Sequence, residues 1–108
     1  MPIADHSALK TELERILSSK VFRQSYVLSN FLRYVVTVTI EEKPHEIKEY
    51  SIAVKALGKH ADFIPQLDAV IRIHAGRLRK SLHEYYHGEG SDDPIIVSLE
   101  RQLQTRVY

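Results

Sequence analysis

Between Gln66 and His87 the apolar residues Leu67, Ile71, Ala75, Leu78, Leu82 and Tyr85 recur every three or four positions. That period commits the segment to a helix with one buried side, and the turn-rich run from Gly88 to Pro94 stops it. Three shorter segments precede it. The first, about 7–19, sets Leu9, Leu13, Ile16 and Leu17 at helical spacing behind Ser7 as a cap. The second, about 25–42, carries Leu28, Phe31, Leu32, Val35 and Val36 at i, i+3, i+4, i+7 and i+8. This stripe outweighs the strand preference of the run Val35 to Ile40, and Lys43-Pro44 closes it. The third, about 45–57, places Ile47, Tyr50, Val54 and Leu57 on one side and ends at Gly58, which supplies a left-handed residue.

Beyond Pro94 the period falls to two. Ile95, Val97 and Leu99 alternate with Ile96 and Ser98, and Leu103, Thr105 and Val107 alternate again, so two strands at about 95–99 and 103–108 form a hairpin. A lone hairpin is not stable and must lean on the helices. The expectation is a mainly α fold with a small β-hairpin (α+β): one domain spanning 1–108, four helices and then two strands.

Composition narrows the function classes. The chain has 108 residues, 15 Lys+Arg against 14 Asp+Glu, and a net charge of +1, so any electrostatic partner must be met by local clustering. With no cysteine there are no disulfides, thiolate chemistry or cysteine-based metal sites. No apolar stretch approaches the ~20 residues of a membrane span, and Met1 to Asp5 lacks the pattern of a signal peptide. The sequence reads as a cytoplasmic domain without membrane contact.

Local clustering is present on the long helix, where four basic residues face only Asp68 and Glu84. On a helical wheel Arg72, Arg79 and Lys80 point away from the buried stripe, with Arg77 on the flank. Ile73 also projects outward. Gly76 lies opposite the core, at a cost of about 1 kcal/mol of helix stability relative to Ala. A cationic helix with an outward apolar group and a gap in its side chains suits the DNA major groove: arginines meet phosphates or guanine edges, and an apolar group meets a thymine methyl. The competing reading is a solvated basic face, with Ile73 under a neighbouring loop.

The stretch Asp68-Ala-Val-Ile-Arg-Ile-His-Ala-Gly-Arg-Leu-Arg-Lys80 resembles the recognition helix of the winged-helix domains in OmpR/PhoB-type bacterial response regulators, through Asp68, Ile71, Ile73, His74, Arg77, Leu78, Arg79 and Lys80. The chain is more similar still to N-terminal winged-helix domains of bacterial proteins with tetratricopeptide or TolB-like regions. The runs 31–36, 48–54, 62–68 and 84–90 carry that likeness, in order. The resemblance implies a winged helix-turn-helix, with segments three and four as the helix-turn-helix and Ile95 to Tyr108 as the wing. It implies base contacts from Arg77 and Ile73 and phosphate contacts from His74 and Arg79. Ala69, Arg72 and Gly76 depart from the regulator pattern, as does the glycine-free turn Glu100-Arg101-Gln102-Leu103, whose tip should be wide or irregular.

His83-Glu84-Tyr85-Tyr86-His87 matches the H-E-x-x-H pattern of zinc peptidases, with Asp93 as a possible third ligand. The context disagrees: no substrate-aligning sheet precedes the motif, Met1 is the sole methionine, and Gly88 breaks the helix just after it. The histidines read better as exposed residues near a helix C-terminus. His60 and Asp62 form a pair without further ligands, and Lys48 and Ser51 read as surface residues.

The function expected from sequence is therefore non-enzymatic and cofactor-free: double-stranded DNA binding by a bacterial transcriptional regulator or its DNA-binding module. Arg72, His74, Arg79 and Lys80 would grip phosphate, Arg77 and Ile73 would read base edges, and Arg101 would reach a minor groove or phosphate. The alternative is a protein-interaction or self-association module on the same fold, docking through Ile73 and Val70 to a second copy or a larger partner. The peptidase reading ranks third.

Overall fold

The structure is a computed structural model that describes residues 6–101, 103 and 105–108. Helix α1 (His6–Ser18) turns Leu9, Leu13 and Ile16 inward. It is already helical at His6, so Ser7 stands within the helix instead of capping it. At Ser19 the chain breaks. The Ser19 hydroxyl donates to the Ile16 carbonyl at 2.6 Å and accepts from the Phe22 N–H at 3.4 Å. That cap opens a one-turn helix, α2 (Lys20–Arg23), which the spacing of apolar residues does not announce and which buries Phe22.

Ser25 caps α3 (Tyr26–Ile40), accepting from the Leu28 N–H at 3.1 Å. This helix is the spine of the fold: Phe31, Leu32, Val35 and Val36 are fully buried and lie in one core with side chains of α1, α2, α5 and the hairpin. The β-branched run is helical because those positions recur at 3.6-residue period and pack on every inward turn. α3 ends two residues sooner than the sequence suggests. Glu42 takes a left-handed φ of 57°, its N–H returns to the Thr39 carbonyl, and that of Lys43 returns to Val38. These are the paired hydrogen bonds of a Schellman stop, with glutamate where glycine is usual.

Segment three is not one α-helix. It comprises a 3-10 turn (Pro44–Glu46), a short α4 (Glu49–Ser51) and a π-helical turn (Ile52–Ala56) that continues α4. The extended backbone of Lys48 separates the first two pieces. The break rotates the inward face: Ile52 and Ala53 are buried, whereas Tyr50 stays exposed and donates its hydroxyl to the Ala61 carbonyl at 2.9 Å. Gly58 (φ 70°) then reverses the chain, as its position implied.

Helix α5 (Val70–Tyr86) starts four residues later than the periodicity suggests. The Asp68 carboxylate accepts the Val70 N–H at 3.0 Å and fixes the start there. Leu67, assigned to the buried stripe, therefore lies in the preceding turn and is 82% exposed. The rest of that stripe, from Ile71 through Ala75, Leu78 and Leu82 to Tyr85, is buried. Past the helix, Gly90 folds over Tyr85. Any Cβ at this glycine would lie 2.2 Å from the ring, and the Gly90 N–H bonds the Tyr85 carbonyl at 2.8 Å.

Strands β1 (Val97–Leu99) and β2 (Thr105–Val107) pair antiparallel in the register Val97 with Val107 and Leu99 with Thr105. They are shorter than expected, although Ile96 and Tyr108 exchange two further backbone hydrogen bonds. Val97 and Leu99 face the core and Ile96 faces out, following the sequence alternation. At the tip Leu103 adopts a left-handed φ of 66° and buries its side chain against the helices. The molecule is thus mainly helical with one two-stranded antiparallel sheet. Among the described residues no helix is long and apolar enough to cross a membrane.

Candidate nucleic-acid interface

The α5 residues that avoid the core form an uninterrupted outer face. Ile73 is 60% exposed, Gly76, Arg77 and Lys80 are exposed, and no neighbouring loop covers them. A Cβ added to Gly76 would meet nothing within 4 Å, so packing gives no reason for glycine at that position. Lys80 has no hydrogen-bond or ion-pair partner among the described residues. Val70, grouped with Ile73 as an apolar patch by the sequence, instead packs partly against the core.

The other cations are engaged to different degrees. Arg72 reaches Glu49 of α4 at 3.3 Å and the Pro65 carbonyl at 3.4 Å, yet about half of its side chain remains exposed. Arg77 donates to His74 Nδ1 at 3.3 Å. Because an arginine N–H can only donate, that ring nitrogen accepts, and the imidazole hydrogen sits on Nε2. Partial burial, helped by the Arg77 and Lys59 charges, holds the His74 pKa below its ordinary value. At neutral pH His74 therefore offers a hydrogen-bond donor and not a charge.

Arg79 corrects the wheel. It does not point away from the protein: Nε donates to the Leu99 carbonyl at 3.0 Å and a terminal nitrogen donates to the Glu100 carbonyl at 2.9 Å. The half-buried guanidinium is a fork joining α5 to the end of β1. Arg77, placed on the flank by the wheel, is the more exposed of the two. Arg101 stands exposed beside the hairpin tip, and Arg106 pairs with Glu100 at 3.6 Å across the hairpin. Gln102 and Gln104 lie outside the described residues.

A second junction fixes the base of the hairpin. Tyr86 donates its hydroxyl to Glu12 at 2.8 Å and accepts the Val97 N–H at 3.0 Å. The Glu12 side chain is fully buried, with Arg15 bonded to its other oxygen at 3.3 Å. Burial raises the Glu12 pKa, the neighbouring Asp93 carboxylate raises it further, and the Tyr86 and Arg15 hydrogen bonds partly offset both. Tyr85 donates to Asp93. Asp93 does not join the H-E-x-x-H histidines: the described residues hold no cluster of three metal-ligating side chains.

The sequence also missed an apolar rim. Ile64 and Leu67, in the turn before α5, are exposed beside a shallow open groove of about 340 Å³ lined by Lys59, His60, Phe63 and both residues. The comparisons with protein-family models, curated proteins and solved structures find no match for this chain.

Proposed function

We propose that the chain is a winged helix-turn-helix that binds double-stranded DNA with α5 in the major groove, as the DNA-binding module of a bacterial transcriptional regulator. The observation that carries this reading is Gly76. A mid-helix glycine costs about 1 kcal/mol against alanine, nothing in the fold requires it, and exposed Ile73, Arg77 and Lys80 surround it. A bare patch of helix amid cations and one apolar side chain lets a phosphate backbone or base edge come close.

In this reading α4 with its π-helical extension and α5 form the helix-turn-helix, and β1–β2 is the wing. Arg77 reads a base edge and Ile73 meets a thymine methyl. Lys80 and Arg72 hold phosphates, Arg72 exchanging its exposed Glu49 contact for one. His74 donates a neutral hydrogen bond. Arg79 serves by holding the wing against α5, and Arg101 carries charge at the wing tip.

The test is fluorescence anisotropy on a random-sequence duplex and a selected duplex across a salt series. Log affinity should fall linearly with log salt. Lys80→Gln should weaken both duplexes equally and reduce the slope by about 1, whereas Arg77→Ala should relax discrimination at one base pair by about 1–3 kcal/mol. Exposed Leu67 and Ile64 favour a second reading, docking of a protein partner or a second copy. Salt-insensitive self-association without duplex binding would select it.

A further inference from the structure

We propose that His83 and His87 form a two-imidazole chelate for a borderline divalent transition metal (Zn²⁺, Ni²⁺ or Cu²⁺) on the outer face of the last turns of α5. Residues four apart share one face of a helix. Here the two exposed rings have centroids 4.0 Å apart and planes inclined by 33°. With metal–nitrogen bonds of about 2.0–2.1 Å, two imidazoles at neighbouring positions on one ion have centroids roughly 4.5–5 Å apart, so a small opening of this exposed ring pair brings both nitrogens onto one ion.

The hydrogen bonding sets one ligand in advance. His87 Nδ1 lies 2.9 Å from the His83 carbonyl oxygen. A carbonyl can only accept, so Nδ1 bears the hydrogen and Nε2 keeps its lone pair for a metal. Such a bond from the non-ligating nitrogen to a carbonyl is the arrangement that orients metal-binding histidines. His83 has no hydrogen bond to its ring among the described residues, so no contact fixes its ring orientation. The C-terminal end of the α5 dipole adds a negative potential that favours a cation there.

This chelate differs from a peptidase centre. Among the described residues no third metal-ligating side chain converges on the pair, so the remaining coordination positions stay open to water or to a ligand from another molecule. Imidazole donors select Zn²⁺, Cu²⁺ and Ni²⁺ over Mg²⁺ and Ca²⁺. The site lies along α5 from Gly76, roughly 10–17 Å toward the C-terminal end by helix rise, and does not depend on the DNA-binding reading.

Chelator-treated protein is titrated calorimetrically with CuCl₂, NiCl₂, ZnCl₂ and MgCl₂, with the histidine ring resonances followed by NMR. One ion per chain is expected, tightest for Cu²⁺, with shifts confined to His83 and His87 and no comparable binding of Mg²⁺. His83→Gln and His87→Gln should each weaken binding by roughly 10–100-fold, on the scale of perturbing a metal-histidine site. His60→Gln should leave it unchanged. Equal affinity in the His83→Gln/His87→Gln double variant, equal binding of Mg²⁺, or absence of binding by the unaltered protein overturns the proposal. Both side chains are exposed, and circular dichroism verifies that the variants remain folded.

Discussion

Replacing Arg79 separates two jobs that a cation on α5 could perform. Its guanidinium makes two hydrogen bonds to main-chain carbonyls of the hairpin, at 3.0 and 2.9 Å. Hydrogen bonds to a charged group contribute roughly 1.5–3 kcal/mol each, and partial exposure puts this pair at the lower end. The carbonyls left behind rehydrate, so Arg79→Ala should cost about 2–3 kcal/mol in total. For a domain of this size each kcal/mol moves Tm by about 4–8 °C, giving a fall of roughly 8–24 °C. Arg79→Lys keeps the charge but not the planar fork, and one ammonium cannot reproduce both bonds. It should recover less than half of the loss. Thermal and urea unfolding followed by circular dichroism measure both variants, and amide exchange at Val97 to Leu99 shows whether the hairpin loosens first. A Tm for Arg79→Ala within about 2 °C of wild type, or lysine restoring wild-type stability in full, would refute the fork as the attachment of the hairpin.

Three further substitutions test other parts of the structure. Gly76→Ala should stabilise the fold by about 1 kcal/mol, since the added methyl meets nothing, while weakening duplex binding; a gain in stability with unchanged binding would remove Gly76 as a contact point. Gly90→Ala should destabilise by roughly 1–3 kcal/mol in urea unfolding, because its methyl would overlap the buried Tyr85 ring. Glu12 tests proton linkage. Its pKa is higher in the folded chain than in the unfolded one, so its contribution is fully present below the unfolded value and is lost as pH rises through the folded value. Glu12→Gln should flatten that part of the stability–pH curve, and an unchanged curve would exclude Glu12 as its source.

What could be read from the sequence follows from how local each determinant is. The stripes of α3 and α5 were legible because Phe31, Leu32, Val35, Ile71, Leu78 and Leu82 repeat one period and all reach the core. Segment three was misread because Tyr50 and Val54 fit the same period, while the extended Lys48 rotates Ile52 and Ala53 inward. Leu67 also fitted, but the Asp68 carboxylate takes the Val70 N–H and the helix begins after it. In each case one hydrogen bond or one backbone dihedral outweighs a shallow periodic preference. Of the candidate site, the exposure of Ile73 and Gly76 was legible from the wheel. The turning of Arg79 toward the hairpin was not, because its partners are carbonyls of Leu99 and Glu100, twenty residues and more along the chain, and backbone acceptors leave no trace in side-chain identity. Glu12 did leave a signal: it occupies a position on the α1 stripe between Leu9 and Leu13, where a carboxylate is out of place unless a donor meets it.

These contacts bear on how the outer face of α5 is held relative to the hairpin. Arg79 grips the far end of β1, and Tyr86, seven residues on, grips its first residue through the Val97 N–H. At 1.5 Å per residue the attachments are about 10 Å apart along α5, matching the length of a three-residue strand at about 3.4 Å per residue to within a few ångströms. One attachment would leave the hairpin able to pivot; two at that spacing set both its position and its direction. The same Tyr86 hydroxyl continues to buried Glu12, so α1 enters the arrangement through an unbroken chain from carboxylate to hydroxyl to strand amide. The short hairpin is therefore oriented by side chains of a rigid helix more than by its own ladder. Loss of Tyr86 should accordingly disturb the base of β1 while leaving the Arg79 end attached, and loss of Arg79 should do the reverse.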